Sequence, residues 1–89
     1  MICIQLLIKG RVQGVYFRSS SRSVAMELGI SGWVRNTKSG DVEVLACGEE
    51  KQLAQFVEWC RSGPAKARVE QVEQKASDCI PPKGFEIIR

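Results

Sequence analysis

The 89-residue chain contains no histidine. That absence removes the Ser-His and Cys-His nucleophilic pairs, which need an imidazole able to take a proton near neutral pH. The four cysteines, at positions 3, 47, 60 and 79, form no C-x-x-C, and mixed Cys/His zinc spacings are missing as well. No metal or other cofactor is therefore expected. No apolar run approaches the roughly 18 residues of a membrane span, and Met1 to Ile8 is too short, with too poor a cleavage site after it, for a signal peptide. These absences predict a cytoplasmic protein with no membrane partner. Aromatic residues are scarce too: three Phe, two Trp and one Tyr. They make a poor platform for stacking bases, and the aromatic-rich RNP1 pattern is absent, so a nucleic-acid partner is not expected.

What is present is an ordinary globular composition, 44% apolar and 26% charged, outside the regime of disorder. One domain spanning 1–89 is expected, with nothing that demands more than a monomer. The net charge of +3 is unevenly spread. Residues 1–38 carry Lys9, Arg11, Arg18, Arg22, Arg35 and Lys38 against Glu27 alone, a net +5 that leaves −2 for the remainder. This asymmetry suits an anionic partner, either a small phosphate-bearing ligand or nucleic acid, and equally a solvated basic surface.

Residues 2–8 are apolar and β-branched enough for a strand, and the pattern breaks at Gly10 to Gly14. A first helix is predicted over 19–29, with Ser19 to Ser21 as candidate N-caps, Val24, Ala25 and Leu28 on one face, and Gly29 as the terminal glycine. Strands at Ser31 to Asn36 and Asp41 to Cys47 flank a short Thr37-Lys38-Ser39-Gly40 connection. A helical period runs from Glu49, with Leu53, Phe56, Val57 and Cys60 in register, to Gly63-Pro64. Ala67 to Lys75 reads as a weaker strand, because Val69 and Val72 break strict alternation and suggest a bulge. Ser77 to Gly84 reads as loop and Phe85 to Ile88 as a short final strand. The order βαββαβ predicts an α+β, ferredoxin-like sandwich: an antiparallel sheet with two helices on one face and a short C-terminal strand. That architecture hosts many functions, so the activity has to come from a site.

The segment Gly10 to Arg18 joins the first strand to the first helix. Its glycines allow successive amides to turn toward one point, as in an anion nest, and the helix N-terminus behind them adds unpaired N–H groups and the positive end of the dipole. Arg18 is unfavourably placed in a first helical turn unless an anion sits there. The alternative is a surface arginine beside an ordinary glycine turn. Neither a P-loop nor a dinucleotide fingerprint is present.

This segment resembles the first signature of the acylphosphatase family, an aliphatic residue followed by x-G-x-V-Q-G-V-x-F-R, which Ile8 to Arg18 matches throughout. The family's second signature is similar to Gly32-Trp33-Val34-Arg35-Asn36, Gly40, Val42 and Gly48, with no departure at a motif position. The resemblance spans essentially the whole chain. It implies that amides of Gln13, Gly14, Val15, Tyr16, Phe17 and Arg18, with the Arg18 guanidinium, bind a phosphoryl group. It further implies that Asn36 orients a water for attack on phosphorus, hydrolysing an acyl phosphate to carboxylate and inorganic phosphate. Arg18 and Asn36 are thus the candidate catalytic residues, and an acyl phosphate or phosphate anion the candidate small-molecule partner. Guanidinium offers paired donors matched to phosphate oxygens, while an asparagine can position a water but cannot act as its base. Asn36 has an alternative reading as an Asx-type turn residue ending a strand. Arg11 and Arg35 read as peripheral, steering charge, and Trp33 and Trp59 as packing residues.

In the expected sheet the first strand pairs antiparallel with the third, which sets Cys3 near Cys47 on the face away from the helices. A disulfide there is geometrically open to them, although cytosolic redox poise favours the reduced pair. Cys60 reads as core and Cys79 as a loop thiol without a role. The competing functions are a non-catalytic ferredoxin-like module that binds phosphate or nucleic acid, and a sensing or protein-binding relative that kept the motif.

Overall fold

A computed structural model describes residues 1–89. The elements run β1 (Ile2–Arg11), α1 (Phe17–Leu28), β2 (Ser31–Asn36), β3 (Val42–Gly48), α2 (Glu50–Ser62), β4 (Arg68–Ser77) and β5 (Phe85–Ile88). They build one five-stranded sheet in the order β4-β1-β3-β2-β5. The pairs β1/β3, β1/β4 and β2/β3 are antiparallel, while β5 adds in parallel to β2. The predicted sandwich is thereby present, with a final strand whose direction the residue pattern alone did not specify.

Strand alternation decides what lies on each face. Ile4, Leu6 and Ile8 of β1, Val34 of β2, and Val42, Val44 and Ala46 of β3 form one core with Ala25 of α1 and Leu53, Phe56, Val57 and Cys60 of α2. Both helices therefore cover the same face. Burial of Cys60 pushes its thiol pKa well above the usual range and leaves it inert. On the opposite face Cys3, Leu45 and Cys47 form a smaller cluster against Trp33.

Two details depart from the pattern-based expectation. β1 does not stop at residue 8 but runs through Gly10 to Arg11, because β4 supplies a partner along its whole length. Register shifts there: Lys9 opposes Gln71 and Gly10 opposes Val69, so Glu70 is the extra residue of a bulge. That bulge accounts for the broken alternation of Val69 and Val72. A side chain at Gly10, whose φ is +128°, would run into the Arg68 carbonyl and the Glu70 amide. Second, α1 begins two residues early, at Phe17, with Tyr16 as its N-cap. The serines expected to cap it lie inside the first turns, where Ser19 donates to the Tyr16 carbonyl, Ser21 to Arg18 and Ser23 to Ser19. As the expected strand pairing sets them, Cys3 stands directly opposite Cys47, at a Cα–Cα distance of 4.0 Å. Redox poise favours free thiols, but this opposition brings the two sulfurs together, and the structure joins them as a disulfide.

Candidate active site

The loop between β1 and α1 is built from alternating commitments. Val12, Val15 and Phe17 are buried in the core, and Phe17 packs on Trp59 with ring centroids 5.4 Å apart. Each such burial contributes on the order of 1.5–3 kcal/mol. Anchored at these points, the intervening backbone turns outward. It does so through two left-handed residues, Gly14 (φ +74°) and Tyr16 (φ +65°). A tyrosine in that region is strained by roughly 1–2 kcal/mol, and Tyr16 is largely exposed, so no packing of its ring accounts for the conformation.

That turn delivers the chain straight into α1. The first helical hydrogen bond runs from the Ser20 amide to the Tyr16 carbonyl at 3.0 Å, so the amides of Phe17, Arg18 and Ser19 have no partner within the helix. No side chain caps this terminus, and its first turn carries no acidic residue. Positive potential at the helix start is thus left uncompensated by the protein.

These groups open onto a cavity of about 370 Å³ lined by Val12, Gly14, Tyr16, Phe17, Arg18, Ser19, Asn36, Ile87 and Arg89. Arg18 is half-buried there and makes no ion pair, since the salt bridges are Lys9–Glu73 and Arg35–Glu43. Asn36, the last residue of β2, faces the same space from the sheet. Its side chain takes no part in the turn that follows. There the Thr37 hydroxyl accepts from the Asp41 amide at 3.1 Å and donates to the Asp41 carbonyl at 3.4 Å. The cavity wall contains no side-chain carboxylate, thiol or imidazole.

Of the residues expected in the site, Gly14, Tyr16, Phe17, Arg18 and Asn36 come together at the cavity, whereas Gln13 and Val15 are not among the residues that line it. Val15 is core. Gln13 works through its side chain, whose amide donates to the Thr37 carbonyl at 2.9 Å and to the Asp41 carbonyl at 2.8 Å. One residue thereby ties the Arg18 loop to the hairpin that follows Asn36. Gln13→Ala is expected to lower stability by about 1–2 kcal/mol, two net hydrogen bonds to carbonyls, and to reduce catalysis by loosening this spacing. Thermal denaturation set beside kinetics checks both; an unchanged midpoint would mean that the two bonds are not made in solution.

Arg89 was not singled out from the residue pattern. No local motif marks it; it reaches the cavity because β5 runs parallel to β2 with Ile88 opposite Arg35, so that both strands end at the same edge. Arg35 itself stays away, held by Glu43 at 2.6 Å and lying over the Trp33 ring at 5.0 Å.

Comparison with known proteins gives consistent results. Residues 4–87 match the family model described as Acylphosphatase. A protein of Vibrio parahaemolyticus named Acylphosphatase is 41% identical over 86 residues, 97% of this chain and 96% of its own. Among solved structures, an acylphosphatase from Coxiella burnetii superposes with a TM-score of 0.94 at 39% identity, covering 98% of this chain and 92% of that one. Acylphosphatase from Bacillus subtilis gives 0.95 at 33% identity with both chains fully covered.

Proposed function

The chain belongs to the acylphosphatase family and is an enzyme that hydrolyses acyl phosphates, and we propose that it does so at the cavity between the Arg18 loop and Asn36. The observation that carries the assignment of the site is the convergence of two segments distant in sequence. One supplies an uncapped helix start and an unpaired guanidinium, the other a polar side chain free of structural duties.

In this reading the amides around Gly14 to Ser19 and the Arg18 guanidinium hold the phosphoryl oxygens, and Asn36 accepts a hydrogen bond from the attacking water through its carbonyl oxygen. Alignment and charge stabilisation suffice for such a substrate, because the bond to phosphorus breaks with loss of a carboxylate, a good leaving group. No side chain of the cavity wall is a base of suitable strength, so we assign the water's proton to an oxygen of the substrate's own phosphate. That assignment predicts a kcat profile around neutral pH free of any protein ionisation; a limb traced to a side chain would overturn it. Arg89, exposed at the rim, attracts the anionic substrate from outside.

The reading extends to partners and place. We infer that the chain acts as a monomer. No helix is long and apolar enough to cross a membrane, in keeping with our inference of a cytoplasmic enzyme. On the sheet face opposite the helices Glu43 engages Arg35 and Gln5, and Glu73 engages Lys9; the Lys9 and Arg35 cations are thus held within the protein, which supports a reading without a nucleic-acid partner.

Benzoyl phosphate in excess chelator provides the test. The wild-type chain should hydrolyse it well above background, and a background rate would refute the enzyme. Inorganic phosphate, as product, should inhibit competitively and stabilise the fold. At about ten times its Kd the gain is about 1.4 kcal/mol, several degrees in Tm for a domain of this size, and Arg18→Ala should abolish it.

A further inference from the structure

Cys3, Cys47 and Cys79 hold their sulfur atoms within 4.8 Å of one another, yet they differ in access to solvent. Cys47 is fully buried and Cys3 is 7% exposed, beneath the small cluster that includes Leu45 and Trp33. Cys79 is a free, exposed thiol. Register explains the meeting. Cys3 opposes Cys47 on one side and Ser77 on the other, so the chain leaving β4 carries Cys79 beside the disulfide two residues later. Exchange proceeds by attack of a thiolate on one disulfide sulfur and depends on access to that sulfur. A thiol in solution meets a buried bond; Cys79 is already next to it.

We propose that Cys79 is a thiolation site and the relay through which the buried Cys3–Cys47 disulfide exchanges with low-molecular-weight thiols and disulfides. In the reducing direction the Cys79 thiolate attacks the Cys3 sulfur, forming a Cys79–Cys3 bond and expelling the Cys47 thiolate, which takes up a proton. An external thiolate then attacks Cys79 at the surface, giving a mixed disulfide there and freeing Cys3 as a thiol. A second external thiolate attacks the mixed disulfide and regenerates the Cys79 thiol. Two external thiols become one external disulfide, and the protein disulfide becomes two thiols. Oxidation by an external disulfide follows the same steps in reverse. Cys60 cannot substitute, being buried on the helix side of the sheet.

The test compares the oxidised wild-type chain with Cys79→Ser in reduced glutathione, with acid quenching, alkylation and mass counting of free thiols. Cys79→Ser should slow opening of the Cys3–Cys47 bond by about tenfold or more under native conditions, and the difference should vanish in denaturant. Equal native rates would overturn the relay. A second variant tests the intermediate directly. Reduced Cys47→Ala treated with oxidised glutathione should acquire glutathione first on Cys79 and then resolve it to a Cys3–Cys79 bridge, identified by peptide mapping. A lasting adduct on Cys79 beside a free Cys3, or first modification at Cys3, would overturn it.

Discussion

Arg18→Ala is expected to lower kcat/KM for benzoyl phosphate by about 10³-fold or more, the scale on which a guanidinium at a transferring phosphoryl group acts. The side chain has no carboxylate partner in the protein, so its charge is available to the substrate in full. Arg18→Lys should recover only a small part of the loss, since a point charge replaces two parallel donors. The alanine substitution should leave the free protein as stable as before or slightly more so. A cation in the first turn of α1 opposes the helix dipole by a few tenths of a kcal/mol up to about 1, and that penalty disappears with the guanidinium. Collapse of activity together with an unchanged or raised Tm is therefore the signature of a residue kept for its ligand. A loss of less than about tenfold in kcat/KM, or a fall in stability beyond about 1 kcal/mol, would remove Arg18 from the proposed site.

The residues of that site were legible to different degrees, and the reason is the range over which each is positioned. Arg18 and the glycine-bearing loop are local: strand, turn and helix start are contiguous, so the chemistry of an anion nest can be read from a few neighbouring residues. Asn36 carries a local ambiguity, because an asparagine before a tight turn suits the turn equally well; only Thr37, seen to make the turn's side-chain bonds, frees Asn36 for the cavity. Gln13 is expected to contribute its amide, and its side chain also spans 24 and 28 positions to bind the hairpin, a separation no local pattern encodes. Arg89 depends on the parallel pairing of β5 with β2, settled by the packing of Phe85 and Ile87 on the core. Alternation likewise predicted which face Cys3 and Cys47 share, while the approach of Cys79 follows from a loop without periodicity. The early start of α1 has its cause in tertiary burial of Val15 and Phe17, which outweighs the capping preference of the serines.

Asn36→Ala is expected to lower kcat by about 10²- to 10³-fold while leaving KM nearly unchanged, the pattern of a hydrogen bond made to the attacking water and strengthened only in the transition state. Phosphate binding rests on the loop and Arg18, so inorganic phosphate should inhibit this variant with its wild-type potency. Stability supplies the contrast with a turn residue. The Asn36 side chain makes no hydrogen bond to the hairpin, whose closure belongs to Thr37, Asp41 and Gln13, so its removal should cost less than about 0.5 kcal/mol. Asn36→Asp separates positioning from charge. It keeps the shape and the water-accepting oxygen but places an anion against the phosphate, and should raise KM and the inhibition constant for phosphate as well as lowering kcat. If Asn36→Ala instead loses about 1 kcal/mol or more of stability and keeps most of its kcat, the residue is a strand end and the water is held elsewhere. The two outcomes move different observables, so one denaturation curve and one progress curve on a single variant decide between them.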